Sequence, residues 1–296
     1  AITVSGYTGN IVKWQYANNA AFTSGVTDIV TTSATLSPAQ MGTITATRYF
    51  RAVVFSCDTK YTTPITINVP TAITYSNGAW SGTPSATTPV IINDDLTLDS
   101  NLNVCSCQVK NGKTLTVNSN VNLIVQTSLE IEPLANLVIE DKGSLVQVAD
   151  NATDIGNIKM KRKSTPMKNY DYCYWSAPVI NNTLHDLSPN TTLDKYYRFN
   201  PMINNWVSIS GGNAAMEPGK GYIVRVPVGW GVTNATSGVY HAEFNGVPNN
   251  GIVPATIEKG SGTFNLIGNP YPSAIDIDLF LTDPANAGII TGTIYL

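Results

Sequence analysis

Short apolar strands recur at a fixed interval between residues 96 and 148, and this recurrence restricts the possible folds more than any other feature. Each strand has aliphatic residues at alternate positions, and Pro, Asn, Asp or Gly separates it from the next. Leu115 and Leu137 lie 22 residues apart, as do Leu123 and Leu145. Three short strands per coil of this length are the repeat of a parallel β-helix. The spacing therefore predicts a short solenoid of about three coils.

A meander of β-hairpins is the alternative interpretation of the same alternation. Hairpins favour longer strands and Asn-Gly turns, and within the repeats only Asn111-Gly112 fits. We therefore favour coils. Gln147 stands where the equivalent strands have Val125 or Ile131, so we expect the aliphatic stack to end near it.

The segments on either side of the repeats predict β-sandwiches. In residues 1–70, alternation over the strand NIVKWQYA places Val12, Trp14 and Tyr16 on the buried face, which is typical of an immunoglobulin-like sandwich. Residues 75–89 are rich in Ser, Thr, Gly and Pro and indicate a boundary. We predict an all-β chain with an Ig-like sandwich (1–70), a short β-helix (71–160) and a jelly-roll-like β-sandwich (161–296).

The third segment has aromatic alternating strands, with helical periodicity only over residues 275–288. The basic run 157–169 predicts a solvated edge strand that discourages sheet-to-sheet pairing; contact with an acidic glycan or lipid is the alternative. The chain begins without a positively charged, apolar leader and ends inside an apparent strand. We therefore expect that a signal peptide was removed and that the protein continues at one or both ends.

Composition excludes several classes of function. Charged residues are only 12% of the chain and the net charge is -3, so no basic field exists for nucleic acid. No run of 18 apolar residues occurs, so we predict no membrane-spanning segment. A sequence rich in Thr, Asn, Ser and Gly, with few charges, is typical of extracellular all-β proteins.

The four cysteines lack the spacing of a metal site. Cys105 and Cys107 are the only close pair, and on one strand they would share a face. We interpret them as small apolar residues in the strand stack. A disulfide that joins Cys57 or Cys173 to one of them is the alternative, and the pairing stays open.

Three stretches resemble segments that recur in large cell-surface proteins of the Bacteroidetes, which the type IX secretion system exports. They are YCYWSAPV (172–179), EPGKGYIVRVP (217–227) and NLIGNPYPSAID (265–276). SLVQVAD before NIKMKRK is similar to their link between solenoid and sandwich, and VSGYTGNIVKWQYA with RYFRAVV is similar to their Ig-like repeats. The resemblance covers nearly the whole chain. It implies export, display at the outer membrane, and the secretion machinery as a partner, and it implies no catalytic residues.

Candidate catalytic and metal-binding groups are sparse. Asp150, Asn151 and Asp154 have an oxygen-rich loop spacing that could hold a structural Ca²⁺ ion. Asp276 and Asp278 could bind a cation, but a helix N-terminus explains them equally. Nucleophile and phosphate-loop motifs are absent. The solenoid acids Glu130, Glu132 and Glu140 have no matching Arg or Lys cluster in the sequence.

Aromatic residues are the remaining candidates for binding. Trp230, between two glycines, and Trp206 could stack on sugar rings, together with tyrosines of the third segment; the alternative is that they fill the thin cores of the β-sandwiches. We predict a non-catalytic structural and adhesive cell-surface protein. The alternatives are a glycan-binding module and the accessory region of a secreted polysaccharide-degrading enzyme.

Overall fold

A computed structural model describes residues 1–230, 238–262 and 264–290. They group into two compact units, Ala1–Thr71 and Ala72–Leu296. The predicted all-β class with a β-helix is confirmed.

The first unit consists of seven strands and one short helix. Its main sheet has the antiparallel order β3-β2-β5-β6, with β7 also paired to β5, and β1 pairs with β4. Its elements are β1 (Ile2–Thr3), β2 (Asn10–Ala17), β3 (Thr27–Ile29), β4 (Thr35–Leu36), α1 (Pro38–Met41), β5 (Arg48–Phe55), β6 (Thr59–Tyr61) and β7 (Ile65–Ile67).

Trp14 is buried in the core of the first unit, as predicted, and its indole N–H donates to the carbonyl of Ser33. The prediction that Val12 shares this buried face is wrong, because Val12 is 45% exposed and Ile11 is buried instead. The pairing of β2 with β5 shifts register between Ile11 and Lys13. A bulge adds one residue to a strand and so reverses the alternation beyond it.

The second unit contains the solenoid. Its strands are β8 (Ile73–Ser76), β9 (Ala79–Trp80), β10 (Val90–Ile92), β11 (Leu96–Leu98), β12 (Leu102–Val104), β13 (Cys107–Val109), β14 (Thr114–Val117), β15 (Asn122–Val125), β16 (Leu129–Ile131), β17 (Asn136–Ile139), β18 (Ser144–Gln147), β19 (Asp154–Ile155) and β20 (Ile158–Lys163). Eight of them, β11 to β18, lie where the sequence predicts strands.

Three walls of parallel strands form about four coils. The first wall is β8-β10-β13-β16-β19, the second is β11-β14-β17-β20 and the third is β12-β15-β18. Leu115 pairs with Leu137 and Leu123 with Leu145, so the predicted spacing of these leucines is the coil register. One more coil is present than predicted, because the outer coils depart from this spacing. The step from Val90 to its partner Cys107, for example, is shorter along the chain than the step from Leu115 to Leu137.

Antiparallel strands end two of the walls. At the start, Asn77 and Gly78 both have positive φ in the turn that folds β9 back on β8. At the other end, the antiparallel strand His241–Gly246 pairs with β20. The basic run is therefore an internal strand and not the predicted solvated edge. The predicted boundary at residue 160 falls inside β20.

The remaining elements are β21 (Tyr172–Trp175), α2 (Leu184–Leu187), β22 (Tyr196–Asn200), β23 (Asn205–Ser208), the 3₁₀ turn Ser210–Gly212, β24 (Tyr222–Arg225), β25 (His241–Gly246) and α3 (Ile277–Thr282). The described residues after 163 thus supply β25 to the solenoid and one antiparallel sheet of order β21-β24-β22-β23. The inner face of this sheet, with Tyr196, Tyr222 and Val224, joins the buried cluster that fills the coils.

Candidate functional site

The outer face of the four-stranded sheet presents a continuous group of aromatic side chains. Residues alternate between the two faces of a strand, and the inward residues Tyr196, Tyr222 and Val224 are buried. On three of the four strands, outward positions carry aromatic residues. We call this group the aromatic face; it consists of Tyr172, Tyr174, Tyr197, Phe199 and Trp206.

The rings of the aromatic face form two contacting groups. Tyr172 lies 6.0 Å from Tyr197, and the Trp206 ring lies 5.3 Å from Phe199 and 6.3 Å from Tyr174, between centroids. Ile223, which pairs with both Tyr174 and Tyr197, is only 8% exposed beneath these rings. Tyr174 itself is 63% exposed. The face therefore combines a packed base with ring surface that is open to solvent.

A guanidinium group borders one end of the aromatic face. Arg225 pairs in register with Tyr172, and its guanidinium carbon lies 5.2 Å from the ring centroid of Tyr170. Its Nη2 donates to the Thr192 hydroxyl, while its Nε is buried without a hydrogen-bond partner. The ion pairs between described residues do not include Arg225. The guanidinium is therefore not directly paired with a described carboxylate.

Lys195 and a phenol add polarity at the same end. The Lys195 ammonium lies 2.5 Å from the Asp194 carboxylate, which raises the pKa of Lys195. The pKa of Asp194 is lowered mainly by this contact, and the charge of Arg225 is the smallest contribution. Burial raises the pKa of Tyr172, and the neighbouring Tyr197 adds to this effect. The Tyr172 phenol therefore stays protonated near neutral pH and can donate a hydrogen bond.

The acids on the solenoid walls bind residues of the adjacent coil. Glu132 accepts hydrogen bonds from Lys110 and from the backbone N–H of Asn111, and both lower its pKa. Glu140 pairs with Lys161 at 2.8 Å. The sequence shows no basic cluster near these acids because each cation lies about one coil away along the chain.

Family comparisons divide the chain where the structure does. A family model described as a domain of unknown function, DUF8693, matches residues 74–296, and another, DUF8696, matches residues 1–71. The chain belongs to the DUF8693 family. No curated protein and no solved structure matches it.

Within the DUF8693 region, the two predicted tryptophan candidates have different surroundings. Trp206 lies on the aromatic face. Trp230, a predicted stacking residue, is half-buried, because its ring packs on Tyr240 and lies next to Gly238. Its indole N–H donates to the carbonyl of Met167 at 3.2 Å. Trp230 is therefore a poor stacking surface for a ligand.

The predicted calcium ligands of the DUF8693 region do not converge. Asp150 and Asn151 are exposed, whereas both carboxylate oxygens of Asp154 accept hydrogen bonds from Gln147. Across residues 1–230, 238–262 and 264–290, no group of three or more His, Cys, Asp or Glu side chains could hold a metal ion. In the same ranges no helix has the length and apolarity needed to cross a membrane. The contacts of Asp154 do not favour a structural Ca²⁺ ion at this loop, and its binding is untested.

The other polar candidates have structural roles. Asp276 caps α3 by accepting the backbone N–H groups of Asp278 and Leu279, as the helix-start interpretation predicts. All four cysteines are free. Cys107 is buried between Val90 and Leu129 in register, which confirms its interpretation as an apolar residue. Cys105 lies at the corner between β12 and β13, so the two thiols do not share a strand.

Phe199 was not identified from the sequence as part of the aromatic face, nor was Arg225 identified as the residue at its end. The alternation in YIVRV places Arg225 on the same face as Ile223. The order β21-β24-β22-β23, which brings that face next to Tyr172 and Phe199, is not sequential along the chain. No local signal in the sequence reveals this strand order.

Proposed function

We propose that this chain is a non-catalytic structural and adhesive segment of a longer secreted protein displayed at the cell surface. The solenoid acts as a spacer of fixed length, and the modules attached to it carry the contacts with other molecules. The observation that carries this proposal is the pairing of the solenoid's acidic side chains with cations of neighbouring coils.

That pairing does not suit the general acid that hydrolysis of a polysaccharide requires. A general acid needs a carboxyl group with a raised pKa, close to the working pH. The contacts with Lys110 and Asn111 lower the pKa of Glu132 instead. Gln108 also donates to both Glu130 and Glu132, at 3.0 and 3.2 Å. These side chains hold successive coils together.

The terminated walls support a spacer of defined length. Parallel strands stack at about 4.8 Å, so about four coils extend for roughly 20 Å. The antiparallel strands β9 and β25 end two walls, and the backbone N–H of Leu145 in β18 donates to the carbonyl of Pro272. Covered strand edges resist pairing with another chain.

The resemblance to surface proteins of the Bacteroidetes supports the proposed location and partners. It supports export by the type IX secretion machinery and attachment to outer-membrane components. All four cysteines are free, so the folded structure contains no disulfide bond that would have to form during export.

Labelling of intact cells tests the location. An antibody against the purified chain should stain the encoding bacterium without permeabilisation, and a strain that lacks the gene should adhere less to surfaces. Staining only after permeabilisation would contradict the proposal. Purified protein should also release no reducing sugar from acidic or neutral polysaccharides. Sugar release that Glu132→Gln abolishes would show that the chain is an enzyme.

A further inference from the structure

We propose that the aromatic face with Arg225 binds oligosaccharides that carry carboxylate groups, such as chains of uronic acids. Sugar rings stack on Tyr174 and Trp206, and a sugar carboxylate binds the Arg225 guanidinium. This inference rests on the proposed adhesive function and names its ligand class.

The first step concerns the shape and chemistry of the rings. Tyrosine and tryptophan present a flat apolar surface together with a polar edge. A pyranose ring has the same division, with C–H groups on its faces and hydroxyls around its edge. Tyr174 is 63% and Tyr172 40% exposed, so both offer ring surface to such a ligand. Their strands are held by backbone pairing, so little conformational entropy is lost on binding.

The second step concerns charge. A half-buried guanidinium normally has a carboxylate partner, because burying an unpaired charge is unfavourable. The described contacts of the Arg225 guanidinium are with the Thr192 hydroxyl and the ring of Tyr170, and the Asp194 carboxylate, on which its charge acts weakly, is paired with Lys195. A planar guanidinium binds carboxylates through paired hydrogen bonds. The complementary ligand group at this end of the aromatic face is therefore a carboxylate.

The third step combines both features in one ligand. Arg225 pairs with Tyr172, and Tyr174 follows two residues later on the same face of β21. The backbone positions of Arg225 and Tyr174 thus differ by one strand repeat, about 7 Å, and the guanidinium itself lies against the ring of Tyr170. In an oligomer of uronic acids, the carboxylate of one residue can bind Arg225 while the ring of another residue stacks on Tyr174. A neutral glycan would leave the charge of Arg225 unpaired, and an acidic peptide would leave the rings without a stacking partner.

Isothermal titration calorimetry with the full chain and three probes tests this. The probes are a hexamer of galacturonic acid, the same hexamer with its carboxylates methyl-esterified, and a glutamate hexapeptide. We expect binding of the acidic hexamer, with at least about tenfold weaker binding of the ester and of the peptide. No binding of the acidic hexamer, or equal binding of its ester, would overturn the proposal, as would equal binding of the glutamate peptide.

Two pairs of variants locate the site. Arg225→Gln should weaken binding of the acidic hexamer about tenfold or more. Arg198→Gln is its control, because Arg198 lies on the same sheet but points to the opposite face. Tyr174→Ala should also weaken binding, whereas Tyr7→Ala in the first unit should not. Equal effects within either pair would overturn the assignment to this face, and circular dichroism verifies that each variant is folded.

The outcome is independent of the test of location. A chain that stains intact cells but does not bind the acidic hexamer would refute this inference and leave the adhesive function standing. A chain that binds the hexamer but is absent from the cell surface would refute the proposed location and leave the binding site standing.

Discussion

Gln147 donates its amide N–H groups to both carboxylate oxygens of Asp154, at 2.7 and 2.6 Å, at the end of the solenoid's apolar stack. In the preceding coil their positions are occupied by the buried residues Val125 and Leu129. Two positions of the coil core thus change from aliphatic to polar within one repeat, while Leu145, Ile158 and Met160 keep the rest of it apolar. A polar pair is poorly suited to lie beneath another aliphatic coil, so this contact helps to limit the number of coils.

The hydrogen bonding of Gln147 and Asp154 is incomplete, and this leads to the first prediction. Gln147 Oε1 is buried without a partner, and burial raises the pKa of Asp154. In Asp154→Asn, the new amide can donate to Gln147 Oε1 while still accepting from Gln147 Nε2. We expect the free energy of unfolding at pH 7 to rise by about 1 kcal/mol, measured by urea denaturation.

The pH dependence of this gain has a defined sign. A raised native pKa means that the protonated Asp154 favours folding below its unfolded pKa of about 3.9, and this contribution is lost as pH rises through the native pKa. The advantage of Asp154→Asn should therefore grow between pH 4 and neutrality. Asp150→Asn, at an exposed carboxylate, should show no such growth. A variant that is destabilised at pH 7 would contradict this account.

Calcium provides a second prediction at the same place. Because Gln147 engages both oxygens of Asp154 while Asp150 and Asn151 are exposed, we expect the same melting temperature in calcium chloride and in a chelator. Differential scanning calorimetry measures this directly. If calcium raises the melting temperature and Asp154→Asn abolishes that increase, the loop is instead a metal site.

A third prediction concerns the thiols. Cys107 is buried between two coils, and burial raises its pKa to about 12. At pH 8 it is therefore a thiol and not the reactive thiolate. We expect a disulfide-exchange reagent to label the exposed Cys57 rapidly and Cys107 only after unfolding, as read by mass spectrometry of peptides. Labelling of both at one rate in native protein would contradict the burial.

The stability of the stack itself gives a fourth prediction. Leu129 is 1% exposed and pairs with Cys107. Leu129→Ala should lower the free energy of unfolding by about 2 to 5 kcal/mol, because the coils above and below hold the cavity open. Leu134→Ala is a matched control, since Leu134 is 82% exposed in a turn. Comparable losses in urea denaturation would show that the core lies elsewhere.

The solenoid could be predicted from sequence because its strands repeat at a short, nearly constant interval along the chain. Side chains alternate along each strand, and the next coil repeats the pattern after a nearly constant interval, so Leu115 and Leu137 reveal their pairing by spacing alone. Polar contacts between coils follow the same offset, although they were not predicted. Lys110 and Glu132, for example, are separated along the chain by the same interval as the two leucines.

Features that depend on distant pairing were not predictable. One inserted residue at the bulge near Val12 exchanged the faces of β2, and nothing in the local pattern marks it. β25 closes the solenoid wall next to β20, although the whole four-stranded sheet lies between these two strands in the sequence. The aromatic face combines strands whose spatial order differs from their sequence order. The tyrosines were identified as candidates, but their common surface required the sheet topology.

The last prediction concerns the first unit, where Arg51 lies between two aromatic rings. Its guanidinium carbon is 3.9 Å from the ring centroids of both Phe22 and Tyr61, and its Nε and Nη2 donate to Gln15 Oε1 at 3.0 and 2.8 Å. A lysine cannot stack on two rings or form both hydrogen bonds. Arg51→Lys should therefore destabilise this unit by about 1 to 2 kcal/mol.

Arg48→Lys is the appropriate control for that change. Arg48 stacks on the single ring of Tyr16, at 4.3 Å, so its replacement should lower the free energy of unfolding by less. Urea denaturation of the full chain, followed by the fluorescence of Trp14 against a Trp14→Phe reference, reports on the first unit. An equal loss for the two variants would show that the second ring and the contact with Gln15 add no stability.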